Sequence, residues 1–180
     1  MAGVSRALIA MGAATGTAPL RALTAVALCD GHDAAIVAVS RALRLHGFEV
    51  IYCGFHKSPR HIVQAAVQED ADVIGISSYN GGHAEFMEDL FKHLRAFGRN
   101  IPVVCGGGGT ITHDDVHELL ALGVARVFLP GETLDAMATD VKTIAVERRA
   151  KRDLSYATKR DGRRVRPRRL RSAESSQPDR

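Results

Sequence analysis

Residues 23–39 read LTAVALCDGHDAAIVAV, in which one apolar run passes through a short polar loop into a second apolar run. The first run has the length and composition of a buried strand, and the second continues with apolar residues spaced three and four apart, as on one face of a helix: Ile36, Val39 and Leu43. This stretch therefore predicts a strand over 23–29 and a helix over about 33–46.

The same strand–loop–helix unit recurs along the chain. We predict further strands over 48–53, 71–78, 101–107 and 124–130, and further helices over about 58–69, 83–97, 112–122 and 133–146. Ser58-Pro59 is typical of a helix start, and Thr112 with Asp115 has the spacing of a capping box. Five β–α repeats indicate an α/β fold, a flavodoxin-like doubly wound parallel sheet of five strands in the order 2-1-3-4-5.

The charge is distributed unevenly along the 180 residues. Residues 147–180 carry 13 Lys or Arg and 5 Asp or Glu, a net +8, and the whole chain has +4, so the rest holds −4. We predict a loose leader over 1–22, one domain over 23–146, and a basic, disordered tail or linker over 147–180. The basic run over 160–172 could bind nucleic acid, but it has no aromatic residues to stack on bases, so a solvated extension is favoured.

Three cysteines, Cys29, Cys53 and Cys105, are an odd number without close-paired spacing. This usage favours free thiols in a reducing compartment over disulfides, and predicts a cytoplasmic protein. The apolar run near the N-terminus is too short to cross a bilayer, so we expect no membrane association.

In doubly wound sheets, ligands bind beyond the carboxyl ends of the strands, where the strand order reverses. The loops to consider are therefore CDGHD, SSYNGGH, CGGGGT and LPGET. Asp30 could accept a hydrogen bond from Nδ1 of His32 and leave Nε2 free for a metal, an arrangement typical of ligating histidines. A helix-capping or merely exposed His32 is the alternative, and an isolated Asp-x-His pattern favours that alternative.

Two other catalytic interpretations of these loops are weaker. A nucleophilic site could pair His32 with Cys29 or Ser77, but Cys29 should face into the sheet. A zinc site is possible among the eight histidines, but six of them fall on helices or separate loops without ligand spacing: His46, His56, His61, His93, His113 and His117.

A phosphorelay receiver shares the predicted fold and is excluded by its essential residues. Its acceptor Asp and its Lys would stand at the ends of the third and fifth strands, where this chain has Ser77-Ser78 and Leu129-Pro130. The four glycines at 106–109 fit neither the dinucleotide fingerprint nor a P-loop. By themselves they indicate a flexible turn, or a mouth free of side chains where a large ligand can approach the backbone.

Taken together, the loops resemble the cobalamin-binding module of adenosylcobalamin-dependent acyl-CoA mutases, whose signature is DxHxxG, then SxL, then GG. Here Asp30-x-His32-x-x-Ala35 is followed after 41 residues by Ser77-x-Tyr79, and after 26 more by Gly106-Gly107. The resemblance covers about residues 22–145. Ala35 replaces the glycine and Tyr79 the leucine, and the sequences DGHDAA and SYNGGH are most similar to the fused isobutyryl-CoA mutases.

The resemblance implies a role for each matching residue. His32 would be the lower axial ligand of cobalt in place of the cofactor's own dimethylbenzimidazole, and Asp30 would orient it. Ser77 would bond the displaced base, for which Gly106 and Gly107 leave room. The predicted cofactor site is completed by further residues of the same four loops: Gly31, Asp33, Ala35, Tyr79, Pro130 and Gly131.

The implied function is to carry adenosylcobalamin, base-off and with His32 on cobalt, for radical rearrangement of an acyl-CoA. The substrate barrel would lie on a large partner subunit or domain, so this chain alone would not turn over substrate. A G-protein chaperone is a further implied partner, and nucleic acid is not. The alternatives are a non-catalytic corrinoid carrier and a cobalamin-sensing regulator. Corrinoid methyltransferases share the DxHxxG pattern, but the loop details favour the mutases.

Overall fold

The β–α alternation of the sequence produces one parallel sheet in the computed structural model of the chain, which describes residues 18–27, 34–79 and 81–162. The strands are β1 Leu20–Val26, β2 Phe48–Tyr52, β3 Val73–Ser77, β4 Val103–Gly106 and β5 Arg126–Phe128. The helices are α1 Ala34–Leu45, α2 Pro59–Gln68, α3 His83–Ala96, α4 His113–Leu122 and α5 Leu134–Gly162, and one 3₁₀ turn spans Gly108–Thr110.

The strand order is β2-β1-β3-β4-β5, and all four pairings are parallel. This confirms the doubly wound topology that the sequence predicts. The order reverses between β1 and β3, whose ends lie side by side, because Ala27 N donates to the Ser77 carbonyl at 2.9 Å. The carboxyl ends of β1 and β3 therefore border the crevice where such sheets bind ligands.

Alternation along the strands divides the core into two layers. On one face, strand residues such as Leu23 and Ile74 are fully buried in a cluster with apolar residues of α2, α3 and α4. On the other face, smaller residues such as Ala22 and Val73 pack in a second cluster with α1 and the first part of α5. The site described below lies in this second layer.

The predicted helix signals are confirmed. The Ser58 side chain accepts a hydrogen bond from His61 N, with Pro59 at the first helical position of α2. Thr112 and Asp115 form a reciprocal capping box at the start of α4. That helix ends at Gly123, whose φ of 110° is the left-handed conformation that favours glycine.

Most predicted boundaries agree with the structure to within two residues, and two differ by more. β1 begins at Leu20, three residues before the predicted start, and the predicted leader therefore overlaps it; Leu28 and Cys29 lie outside the described residues. The last helix does not end at Val146 but continues to Gly162, so the first half of the predicted tail is helical. Residues 147–161 contain neither glycine nor proline and are rich in good helix formers, so nothing stops the helix earlier.

Both ends of the domain meet at one buried carboxylate, which explains the earlier start of β1. The Asp72 side chain is fully buried and accepts a hydrogen bond from the backbone N–H of Arg21. It also forms an ion pair with Arg149 of α5. The Arg149 guanidinium also donates to the carbonyls of Ala18 and Pro19 at 2.5 and 2.7 Å. These contacts order the chain just before β1.

The described residues divide into two units, one up to Arg149 and one from Ala150 onward. Within the described part of the second unit, Arg152 pairs with Asp153 at 3.3 Å, and Ser155 Oγ donates to the Arg152 carbonyl at 2.7 Å. None of the helices in the described part of the chain is long and apolar enough to cross a membrane. The cytoplasmic location stays a prediction.

Candidate functional site

A cavity of about 220 Å³ opens between the sheet and the helices α1 and α5. Seven of the residues predicted from four separate loops line it together: Ala35, Ser77, Tyr79, Gly106, Gly107, Pro130 and Gly131. The other four, Asp30, Gly31, His32 and Asp33, lie outside the described residues. Their predicted roles are therefore untested by the structure, although β1, which leads into them, ends beside Ser77.

The floor of the cavity is formed by side chains of neighbouring strands. Thr24 of β1, Gly75 of β3 and Val104 of β4 are in register, and all three line the cavity. A Cβ on Gly75 would lie 3.6 Å from Thr24 Cγ2 and 3.9 Å from Val104 Cγ2, which is ordinary contact. Gly75 was not predicted as a site residue from the sequence. The available signal was a glycine in the interior of a strand, which often marks a place where a ligand or another backbone approaches closely.

The walls of the cavity are mainly apolar. Residues of α1 and α5 supply them, among them Ile36, Val39, Leu43, Met137 and Val141. The Thr24 hydroxyl is paired with Ser40 Oγ at 2.9 Å, and Glu132 is held by Arg126 at 2.7 Å and by the Leu129 N–H at 2.9 Å. The buried Ser77 hydroxyl at the end of β3 is thus a polar group well placed to meet a ligand.

The glycine run after β4 packs directly on the loop after β3. A Cβ on Gly107 would lie 2.0 Å from the Ser78 carbonyl oxygen, and one on Gly108 would lie 2.5 Å from Cε1 of Tyr79. Gly108 also has a φ of +53°. Gly107 was predicted from the sequence only to leave room for a ligand, and the packing of the two loops also requires a residue without a side chain at this position.

A buried histidine that the sequence analysis did not select ties these loops together. His83, at the start of α3, is 5% exposed; its Nδ1 lies 2.8 Å from Ser78 Oγ and its Nε2 3.4 Å from the Thr110 carbonyl. Because a carbonyl only accepts, Nε2 carries the proton, and in the neutral ring Nδ1 accepts from Ser78. Thr110 Oγ1 in turn donates to the Gly107 carbonyl at 2.7 Å.

The described thiols do not have the character of nucleophiles. Burial raises the pKa of Cys105 to about 12, and burial also raises the pKa of Cys53. Both thiols are free and stay protonated near neutral pH. Cys29 lies outside the described residues.

No group of three or more His, Cys, Asp or Glu side chains within residues 18–27, 34–79 and 81–162 could hold a metal ion. Of the histidines set aside in the sequence, His113 and His117 share α4, and the other four lie on other helices and loops of this part of the chain. The apolar walls and the buried Ser77 hydroxyl suit the cavity to a mostly apolar group that carries a hydrogen-bonding atom.

The comparisons with known proteins agree with this geometry. The profile of a family described as B12 binding domain matches residues 20–138. The fused isobutyryl-CoA mutase of Cupriavidus metallidurans is 44% identical in an alignment of 127 positions, which covers 68% of this chain and 12% of the mutase. This chain thus spans only a small part of the fused mutases. The 2-hydroxyisobutanoyl-CoA mutase small subunit of Aquincola tertiaricarbonis is 35% identical over 74% of this chain and 97% of that subunit.

Solved structures show the shared fold. A cobalamin-binding protein from Desulfitobacterium hafniense matches with a TM-score of 0.59 and 18% identity, over 69% of this chain and 58% of that one. The receiver domain of NarL from Mycobacterium tuberculosis also matches, with a TM-score of 0.55 and 18% identity, over 72% of this chain and 98% of that one. At these identities the matches concern the fold alone.

Proposed function

The chain belongs to the B12-binding domain family, and on that basis we propose that it binds adenosylcobalamin and presents it to an acyl-CoA mutase. One observation carries the proposal. Residues from the loops after β3, β4 and β5 and from the start of α1, selected from the sequence for this cofactor, line a single cavity at the switch point of the sheet.

The residues present fit the nucleotide tail of a cobalamin. The tail ends in dimethylbenzimidazole, a flat and mostly apolar base with one free ring nitrogen once it leaves cobalt. The cavity offers apolar walls for the ring and the Ser77 hydroxyl for that nitrogen. Gly106 also lines the cavity. A Cβ added there would lie 3.4 Å from the Phe128 carbonyl oxygen, and its absence leaves only backbone at this edge of the cavity.

His32 would take the place of the base on cobalt, and Asp30 would orient the imidazole. Both follow β1, whose last residues are hydrogen-bonded to the carbonyls of Gly54 and Ser77 at 3.0 and 2.9 Å. The loop that carries the proposed ligand thus starts beside the residue proposed to hold the base. This adjacency supports a base-off mode, with histidine bound and the tail inserted.

The adenosyl form supplies radical chemistry when it is bound, and this chain's part is to bind and orient it. The substrate would be held by a large partner subunit, because the relatives matched over nearly their whole length are mutase small subunits. A G-protein chaperone would be a further partner. We propose that the chain alone has no turnover and gains isomerase activity only with the partner.

The proposal is tested by equilibrium titration of the purified chain with adenosylcobalamin and with adenosylcobinamide, which lacks the nucleotide tail. A base buries about as much apolar surface as a Phe side chain, worth about 1.5–3 kcal/mol, so the tail should tighten binding about 10- to 150-fold. The His32→Ala variant should lose the histidine-bound absorption spectrum, whereas the control His117→Ala, an exposed residue of α4, should not. Equal affinity for both corrinoids would rule out the tail cavity.

An assay with a large mutase chain distinguishes a mutase subunit from a corrinoid carrier or a sensor. A mutase subunit should bind a large mutase chain in a cofactor-dependent way and restore its isomerase activity. A chain that binds adenosylcobalamin tightly but forms no such complex would be a corrinoid carrier or a regulator instead.

A further inference from the structure

The outward face of α3 carries charged side chains of both signs, which are sorted along the helix. Four exposed residues follow one another at intervals of three or four positions and therefore share one face: Glu85, Glu88, Lys92 and Arg95. The acidic pair lies in the first half of the helix and the basic pair in the second half. The opposite face, which includes Leu90, is buried in the core. The helix thus presents a negative half and a positive half to solvent.

The neighbouring side chains do not neutralise these charges. Asp89 of the same helix is paired with His93, with Oδ2 and Nε2 3.6 Å apart. Glu88 and Lys92 have the spacing of an intrahelical ion pair, but neither side chain forms an ion pair within the described part of the chain. The same holds there for the two outer residues of the set. Both halves of the face are therefore available to a binding partner.

The order of the charges makes the face complementary to a second copy of itself. Glu85 and Arg95 are each five residues from Leu90. Glu88 and Lys92 are each two residues from it. In an antiparallel pair of α3 helices with the twofold axis at the level of Leu90, Glu85 lies opposite the Arg95 of the second copy. Glu88 then lies opposite the second copy's Lys92, and the twofold axis repeats both contacts, which gives four ion pairs.

A groove beside the charges offers apolar surface that a second copy can cover. It has a volume of about 400 Å³ and lies between α3 and α4, where the half-buried Phe91 and Leu122 line it together with the charged residues of α3. Phe97, directly after α3, is 43% exposed, and Leu120, in the last turn of α4, is 46% exposed. Because exposed ion pairs contribute little by themselves, this apolar surface would supply much of the association.

We propose that the face formed by α3 and α4 is an interface between two copies of this chain, in which the two α3 helices pack antiparallel. The charge order selects this occupant. An acidic partner would be repelled by Glu85 and Glu88, and a basic partner by Lys92 and Arg95, whereas a second copy matches both halves. With α3 only about 21 Å long, the interface is at the small end of stable interfaces, so the dimer should be weak and sensitive to salt.

This interface lies away from the proposed cofactor site. The helices α3 and α4 cover the face of the sheet on which Leu23 and Ile74 are buried. The cavity lies on the other face, under α1 and α5. The inference therefore goes beyond the proposed function and can be tested without the cofactor.

Sedimentation equilibrium of the full chain measures the association. The dimer should weaken at least about tenfold between about 0.05 M and 0.5 M salt. Glu88→Lys and Lys92→Glu each turn two of the four ion pairs into like-charge contacts, and each should weaken the dimer at least about tenfold. The double variant Glu88→Lys/Lys92→Glu restores both pairs and should associate within about threefold of the wild type. The control Arg41→Glu changes an exposed charge on α1 and should also stay within about threefold.

The thermal unfolding midpoint of each variant shows whether a lost dimer comes from a damaged helix. A wild-type chain that stays monomeric at about 100 μM in low salt would overturn the inference. A dimer that both single reversals leave unchanged would do the same. So would a dimer that the double reversal does not restore, because the antiparallel register requires the exchange of charges to be neutral. An equal loss in Arg41→Glu would attribute the association to net charge and would also overturn the inference.

Discussion

Gly75→Ala separates the stability of the domain from its capacity for the cofactor. The new Cβ would lie on the cavity floor, 3.6 Å from Thr24 Cγ2 and 3.9 Å from the Leu23 carbonyl oxygen, so it clashes with nothing. Replacing a strand glycine by alanine gains about 0.5–1 kcal/mol from the backbone, and a buried methyl adds about 0.8 kcal/mol. We expect the unfolding free energy to rise by about 1–2 kcal/mol.

The same methyl takes space that the nucleotide tail would fill. Overpacking a filled site typically costs about 1–3 kcal/mol, so affinity for adenosylcobalamin should fall about 5- to 150-fold. Affinity for adenosylcobinamide should not change, because that corrinoid has no tail to insert. Adenosylcobinamide, which lacks the tail, is thus the matched control ligand for the loss of cavity volume in Gly75→Ala.

Urea unfolding and spectrophotometric titration measure the two effects on the same preparation. A rise in stability together with unchanged adenosylcobalamin affinity would refute the placement of the tail above Gly75. A lower stability of Gly75→Ala would refute the presence of open space beside Gly75. A methyl group that lowers stability must meet atoms closer than the 3.6 Å contact with Thr24 Cγ2.

Three further predictions concern the packing and stability of the domain. Gly107→Ala should lower the free energy of unfolding by at least about 3 kcal/mol, because its Cβ would lie 2.0 Å from the Ser78 carbonyl oxygen. The control Gly109→Ala, whose Cβ would have nothing within 4 Å, should stay within about 1 kcal/mol of the wild type in the same urea titration. Asp72→Asn should cost about 3–5 kcal/mol in urea unfolding, because the partly buried Arg149 guanidinium loses the fully buried carboxylate that pairs with it. A loss below about 1 kcal/mol would contradict the role given to this carboxylate. The raised pKa of Cys105 means that the folded state holds the thiol proton more tightly than the unfolded state does. This contribution to stability is therefore complete below about pH 9 and is lost as the pH rises towards about 12. Alkylation of the native protein at about pH 8 should be slower at Cys105 than at Cys53, and equal rates would be contrary evidence.

The local signals in the sequence were sufficient for the order and type of the elements. Ser58-Pro59 and the Thr112–Asp115 box fix helix starts through contacts within a few residues, so both could be recognised without the fold. Alternation of strands and helices then leaves few topologies open. The loops that line the cavity were predictable for the same reason, because the topology places ligands at the carboxyl ends of the strands.

What the sequence did not reveal depends on contacts between distant residues. The early start of β1 reflects Asp72 and Arg149, which are 77 positions apart. Gly75 becomes part of a cavity floor only through its register with Thr24 and Val104. The buried position of His83 likewise arises from its bonds to the loops after β3 and β4, which no local pattern encodes.

The proposed ligation of cobalt by His32 is tested most directly by electron paramagnetic resonance of the cob(II)alamin complex, prepared with the chain uniformly labelled with nitrogen-15. Nitrogen of natural abundance in the cofactor splits the cobalt signal into triplets, and a nitrogen-15 ligand from the protein splits it into doublets. We predict doublets that disappear in His32→Ala and persist in the control His117→Ala. Triplets in the labelled complex would show that the cofactor's own base remains on cobalt, and would contradict the account.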